Sequence, residues 1–317
     1  MRNQIVTFVF LTFASLAQAQ QQQMYTQFAF NKQAYNPAYA GSFVAPTLTA
    51  VYRNQWMGLD GAPKALAFSF AQSLLNKRVG IGANIARQSI GINSNLTFEA
   101  AYNYRIQMKR GVLATGLQFS LLNVRQNWND PRIIAIDQGD PGIPLDPKSK
   151  FVPNFGVGLY YQAYHDKWYA GVALPRIFSS SIDFSEFGDT LSREVQHFNA
   201  MGGLQLTPTE DLKVTPQVLL RYALGAPFDA EVNVGALLRN KFYAGLTYRV
   251  GGDINFAGES IDVALGLQAI DELFFCLSYD IGLTRLRKQH NGSVEVTVRY
   301  YINPPDEVDR VGPARPF

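Results

Sequence analysis

A single cysteine, Cys276, stands in the whole chain. It excludes an internal disulfide and any cysteine-rich metal site. Charge is also scarce: Asp, Glu, Lys and Arg make up 17% of the residues, against about a quarter in ordinary soluble domains. Beyond the N-terminus no apolar run approaches the roughly eighteen residues a membrane-crossing helix requires, which argues against a helical membrane protein. The net charge of +3 is too small to recruit nucleic acid. Histidine occurs at His165, His197 and His290 only. No Ser or Asp is spaced to make any of them a catalytic base, and ordinary polar surface histidines are the simpler reading.

What is present begins with MRNQIVTFVFLTFASLAQA. Arg2 supplies a positive start, Ile5 to Leu16 an apolar core, and Ala17-Gln18-Ala19 a small-x-small cleavage site, so residues 1–19 are expected to be a signal peptide. No cysteine follows the site, which argues against a lipoprotein. The mature chain is expected to start at Gln20 and to leave the cytoplasm.

From Thr47 onward the dominant pattern is alternation. Phe98, Ala100, Tyr102, Tyr104 and Ile106 oppose Thr97, Glu99, Ala101, Asn103 and Arg105; Val294, Val296, Val298 and Tyr300 oppose Glu295, Thr297, Arg299 and Tyr301. The same split recurs in 154–164 and 229–239. A period of two marks strands with one apolar and one polar face. About fourteen such segments occur, mostly about nine to twelve residues long, with Tyr and Trp near their ends, the length at which a tilted strand crosses a bilayer. They cover 47–55, 64–74, 79–89, 93–107, 112–123, 153–164 and 167–175 in the first half. The second half holds 196–206, 212–223, 228–239, 241–250, 259–269, 273–282 and 293–303. Pro216 inside the ninth implies an edge, a bulge or a misplaced strand. The fold expected is all-β: a transmembrane antiparallel outer-membrane barrel with a short N-terminal periplasmic segment at 20–46 and a tail at 304–317. A soluble sandwich would use shorter strands.

Connection lengths support this. LNKR, MKRG, HD, TPTED, Asn240 and IDE are short and alternate with a second set that holds the long links, above all Val124 to Val152 and Arg176 to Val195, although two of that set, near Ile90 and Leu224, are short as well. Short periplasmic turns alternating with outward loops place both termini in the periplasm. Glycines on the polar faces (Gly80, Gly82, Gly156, Gly158 and Gly266) suit a crowded lumen. A charge facing lipid at the midplane costs about 2–4 kcal/mol. Glu99, Arg105, Arg221, Glu231, Arg249, Glu295 and Arg299 are therefore expected to face inward and pair there.

Several motifs carry a functional and a bland reading. Asp137, Asp140 and Asp146 lie in the longest loop, but their spacing matches no defined calcium loop, and a solvated acidic loop is favoured. Gly80-Ile81-Gly82 and Gly156-Val157-Gly158 lie inside strands, the wrong place for phosphate binding. Asn95-Leu96-Thr97 matches a glycosylation triplet but begins a strand. Arg285, Arg287, Lys288 and His290 form a basic outward loop. It is either merely solvated or in contact with anionic lipopolysaccharide or an acidic cargo domain. No catalytic residue, cofactor or metal is expected.

Ahead of the first strand lies YTQFAFNKQAYNPAYAGS, residues 25–42. With YRNQW at 52–56, PNFGVGLYY at 153–161, WYAGVALPRI at 168–177 and SVEVTVRYY at 293–301, it resembles the PorP/SprF family of Bacteroidetes outer-membrane proteins. The likeness covers nearly the whole mature chain. It implies a non-enzymatic component of the type IX secretion and gliding machinery. One kind of member works with a periplasmic peptidoglycan-associated partner, the motor ring and the outer-membrane translocon. Another helps secrete or anchor a single substrate with a C-terminal sorting domain, such as an adhesin. A passive porin or hydrophobic-solute channel is the alternative. The chain continues past its last strand, so Phe317 ends no strand, and Tyr300 or Tyr301 occupies that position. Two functional roles are open for 25–46, beside that of a plain structural lead-in to the first strand. It either plugs the periplasmic mouth or docks a partner, with Phe28, Phe30, Tyr35 and Tyr39 as anchors, Asn36 and Pro37 fixing its path, and Gly41 turning it.

Overall fold

The computed structural model describes residues 28–43, 45–133, 146–182, 184, 193–224, 226–251 and 258–304. The signal peptide and residues 20–27, the tail beyond Pro304, and Asp137 and Asp140 lie outside the described residues.

The strands are β1 (Thr47–Asn54), β2 (Lys64–Leu74), β3 (Val79–Ile90), β4 (Asn93–Met108) and β5 (Gly111–Gln126). They continue as β6 (Lys148–Ala163), β7 (Trp168–Arg176), β8 (His197–Leu204), β9 (Leu206–Thr209) and β10 (Leu212–Ala223). The remainder are β11 (Asp229–Leu238), β12 (Phe242–Val250), β13 (Gly258–Ile270), β14 (Leu273–Gly282) and β15 (Ser293–Tyr301). Both β8 and β9 pair with β10, so they form one interrupted stave. Every other strand pairs antiparallel with its sequence neighbours, and β1 closes on β15 from Thr47↔Tyr301 to Asn54↔Val294. The result is a closed antiparallel barrel of fourteen staves. Closure leaves the wall no open sheet edge, which hydrocarbon surroundings demand.

The alternation read from the sequence separates outside from inside. In β12, Phe242, Ala244, Leu246 and Tyr248 are exposed, whereas Tyr243, Gly245, Thr247 and Arg249 are buried. Leu265, at 65% exposure, Leu117 and Phe68 belong to a continuous apolar outer belt. A belt of that extent needs a lipid cover. No helix among the described residues is long and apolar enough to cross a membrane.

Boundaries differ most from the sequence reading in two places, and the structure selects among the options left open for Pro216. The β5–β6 hairpin is longer, because Val124–Gln126 pair with Lys148–Lys150 beyond the apolar stretch that marked the strands. The eighth stave runs to Thr209, so the expected TPTED turn shrinks to Glu210-Asp211. Pro216 marks a bulge inside a real strand. On the β8–β9 side the ladder is open at Thr215 and Pro216, and the register shifts by Leu212/Val214. A residue without an N–H is placed where the ladder already breaks.

Candidate functional site

Inside the barrel lies the segment that precedes β1. It forms three single 3-10 turns, Phe28–Phe30, Lys32–Ala34 and Pro37–Tyr39. Tyr-Asn-Pro sets the last of them. Asn36 is extended (φ −148°, ψ 112°), as a residue before proline prefers, and its Oδ1 accepts from Ala38 N at 3.0 Å. Pro37 occupies the first helical position, where its missing donor costs nothing. Gly41, at φ +67°, then turns the chain toward β1. From Phe28 to Phe43 every residue except Ala29 is buried.

A short irregular segment carries backbone carbonyls that need donors. Side chains of the wall supply them. Asn103 Nδ2 donates to Ala38 O at 3.2 Å and also to Ala40 O. Arg105 Nη1 donates to Gly41 O at 2.7 Å and to Ser42 Oγ at 3.1 Å. Asn199 Nδ2 reaches Tyr35 O at 2.9 Å, and Arg299 Nη2 reaches Phe30 O. In return the segment donates to the wall. Gln33 Nε2 approaches Phe70 O at 3.2 Å and Ala83 O at 3.3 Å, and Asn36 Nδ2 approaches Leu159 O at 3.0 Å. These contacts link the segment to β2, β3, β4, β6, β8 and β15.

Close approach needs wall positions without side chains. A Cβ on Gly80 would overlap Ala40 O, one on Gly116 would overlap the Ala38 backbone, and one on Gly158 would overlap Asn36 Oδ1. Aromatic packing fills the remaining volume. The Phe30 ring lies 5.0 Å from Tyr243 and 5.1 Å from Phe274, and Tyr39 lies 5.2 Å from Tyr160. Lys32 Nζ sits 4.1 Å from the Tyr169 ring centre, and the Arg299 guanidinium 4.9 Å from that of Phe43. Such contacts offset part of the cost of taking these cations out of water.

Toward the end that carries the longer loops, the lumen becomes ionic. Arg53 pairs with Asp280 at 2.8 Å and Glu295 at 3.7 Å. Arg221 pairs with Glu231 at 3.1 Å and Asp229 at 3.6 Å. Arg249 lies 3.4 Å from Glu231, 3.5 Å from Asp280 and 3.6 Å from Asp262. The Arg221 guanidinium also stands 6.0 Å from the Tyr35 ring centre, so segment and ionic layer meet there.

The residues picked from the sequence fall at two ends of the molecule. Phe28, Phe30, Tyr35, Asn36, Pro37, Tyr39 and Gly41 lie together in the lumen. Arg285, Arg287 and Lys288 form an exposed 3-10 turn between β14 and β15. The expectation that the seven luminal charges face inward and pair there holds for Arg221, Glu231, Arg249 and Glu295, which form ion pairs, and needs correcting for the other three. Arg105 and Arg299 spend their donors on segment carbonyls, and Glu99 accepts from Asn84 Nδ2 at 2.8 Å. Neutral partners stand nearer than opposite charges there. His197 is not a surface residue: it is buried at the start of β8 with Nδ1 2.9 Å from Val195 O. Asn103 and Asn199 were not singled out from the sequence as site residues. Polar residues at alternate strand positions were visible, but nothing local tells that their partner is a segment some 60 to 160 residues away in sequence. Among the described residues no group of His, Cys, Asp and Glu could hold a metal ion.

A closed fourteen-stave barrel with an apolar outer belt and a polar, filled interior defines an outer-membrane β-barrel protein. The profile of the type IX secretion system membrane protein PorP/SprF matches residues 17–300. The chain belongs to the PorP/SprF family of type IX secretion system membrane proteins. No curated protein matches the sequence. Among solved structures, the monoaromatic hydrocarbon channel CymD is similar at 10% identity and a TM-score of 0.49, over 89% of this chain and 94% of that one. Omp33 of Acinetobacter baumannii is similar at 4% identity and a TM-score of 0.47, over 81% and 98%. The COG4313 channel of Pseudomonas putida F1 gives 12% identity and a TM-score of 0.41, over 83% and 98%. These likenesses are too distant to bear on function.

Proposed function

We propose that this protein is an outer-membrane component of the type IX secretion and gliding machinery that binds proteins rather than conducting solutes. Its short turns and both termini face the periplasm, and its longer loops face outward. Its partners are periplasmic machinery proteins, a sorting-domain substrate such as an adhesin, or both. The observation that carries this reading is the family match over residues 17–300. The filled lumen supports binding over conduction, because a passive porin needs a continuous aqueous path.

The N-terminal segment acts as the plug of the barrel. Its anchors Phe28, Tyr35 and Tyr39 are almost fully buried, so they are unavailable to a periplasmic partner while the segment is seated. Partner contacts then fall on the exposed turns and loops. Pull-down of the tagged protein in mild detergent, followed by mass spectrometry, tests the function. Recovery of a peptidoglycan-associated periplasmic protein or a sorting-domain substrate is expected. Recovery of the barrel alone, with steady solute flux through it in liposomes, would favour the channel instead.

A further inference from the structure

The outer face of the barrel is largely apolar, and a cluster of cations and hydroxyls stands on it where β2 to β5 approach the loop end. The pairing there aligns Lys64↔Ser89, Ser89↔Ser94 and Ser94↔Arg125 in one row, followed by Arg125↔Ser149. One row nearer the barrel's middle come Leu66↔Arg87, Arg87↔Leu96, Leu96↔Asn123 and Asn123↔Phe151. The next row is Phe68, Ile85, Phe98 and Leu121, wholly apolar. Strand alternation puts all these residues on the outside, and Lys64, Arg87 and Arg125 are exposed. Three cations therefore stand on the lipid-facing surface immediately above the hydrocarbon belt.

No carboxylate shares either row. Two acids of the neighbouring loops, Asp130 and Asp60, are held by Arg132 at 2.7 Å and 3.7 Å. Lys64, Arg87 and Arg125 make no hydrogen bond or ion pair with any described residue. Adjacent strands lie about 4.8 Å apart, so Lys64 and Arg125, three strands apart, are separated by roughly 14 Å, with Arg87 between and below them. Long flexible side chains at that spacing can converge on one headgroup, and the Ser89 and Ser94 hydroxyls lie along the line between the outer two.

We infer that Lys64, Arg87 and Arg125 form a site for the phosphate-bearing headgroup of an outer-leaflet glycolipid. The row beneath supplies the apolar surface that its acyl chains need. An unpaired lipid-facing cation is tolerated near an interface and disfavoured at the midplane, so anionic headgroups at that depth are its natural partners. Guanidinium groups grip phosphate through paired donors, and the lysine adds a mobile point charge. This site rests on the orientation proposed above, with the longer loops facing outward.

The test uses the full-length purified protein and its triple variant Lys64→Gln/Arg87→Gln/Arg125→Gln. Binding of lipid A, of the same lipid with its phosphates removed, and of inorganic phosphate is read by thermal shift in detergent. Phosphorylated lipid A should stabilise the native barrel, and the triple variant should bind it roughly 100-fold more weakly. Dephosphorylated lipid and inorganic phosphate should have little effect. Equal binding by both proteins, equal effects of the two lipids, or a full effect of phosphate alone would overturn the site. Thr284→Cys, in the exposed loop after β14, is labelled with an impermeant maleimide on intact cells. Labelling is expected. Labelling without discrimination between lipids overturns the site and leaves the orientation standing. Discrimination with labelling only after lysis overturns the outer-leaflet assignment.

Discussion

Gly158→Val separates the seating of the N-terminal segment from the integrity of the barrel wall. In a bare strand the substitution should help, since glycine in a strand interior costs roughly 0.5–1 kcal/mol relative to alanine. In this barrel the new Cβ would occupy the place of Asn36 Oδ1. Asn36 is fully buried and holds Ala38 N at 3.0 Å and Leu159 O at 3.0 Å. Moving it breaks both bonds and leaves buried groups unpaired, at about 1–3 kcal/mol each. The strand gain is common to the seated and unseated barrel, so the penalty on seating is that of the two lost bonds, about 2–6 kcal/mol, which raises the unseated population at least roughly 30-fold. Lys32, buried at 2% exposure, is a trypsin site only when the segment leaves. Cleavage after Lys32, followed by mass spectrometry on the detergent-purified protein, should accelerate by that factor, because proteolysis tracks the open population when reclosing is fast. Gly202→Ala serves as the control, since its Cβ would meet only Tyr169 O at 3.5 Å. Equal cleavage rates for Gly158→Val and wild type would refute the contact.

Other consequences follow from the same interior. Arg249→Leu strands Glu231, Asp262 and Asp280 around a lost cation. It should cost about 3–5 kcal/mol, read as a lower midpoint for loss of the folded band on heating, and Arg249→Leu/Asp262→Leu should recover part of it. Arg299→Met should loosen the segment at Phe30 O, and cleavage after Lys32 should rise while the strand content seen by circular dichroism stays unchanged. In the loop after β5, the Arg132 guanidinium lowers the Asp130 carboxyl from 3.8 to about 2. A depressed acid stabilises the folded loop at pH above 3.8 and loses that contribution as pH falls through about 2. Carboxyl NMR should give a midpoint near 2 for Asp130 in the wild type and near 3.8 in Arg132→Gln.

Much of the wall was legible because its physics is local. Alternation in 96–106 fixes which side of β4 meets lipid, and Phe98, Tyr102 and Tyr104 are indeed exposed there. Turn parity likewise follows from the short links. The interior was legible only in outline. Glycines on polar faces indicated crowding, yet nothing near Gly116 or Gly158 in the chain says that Ala38 and Asn36 are what crowds them. Arg105 and Arg299 looked like members of ion pairs, because the sequence displays charges and hides carbonyls. The extension of β5 and β6 escaped notice because pairing outlasts the apolar pattern once the hairpin leaves the bilayer.

Conductance in planar bilayers bears most directly on whether the chain's own N-terminal segment fills the barrel. Wild-type protein should stay closed, and deletion of residues 25–42 should open a steady ohmic channel. A conducting wild type, or a deletion with unchanged conductance, would contradict the plugged-barrel account.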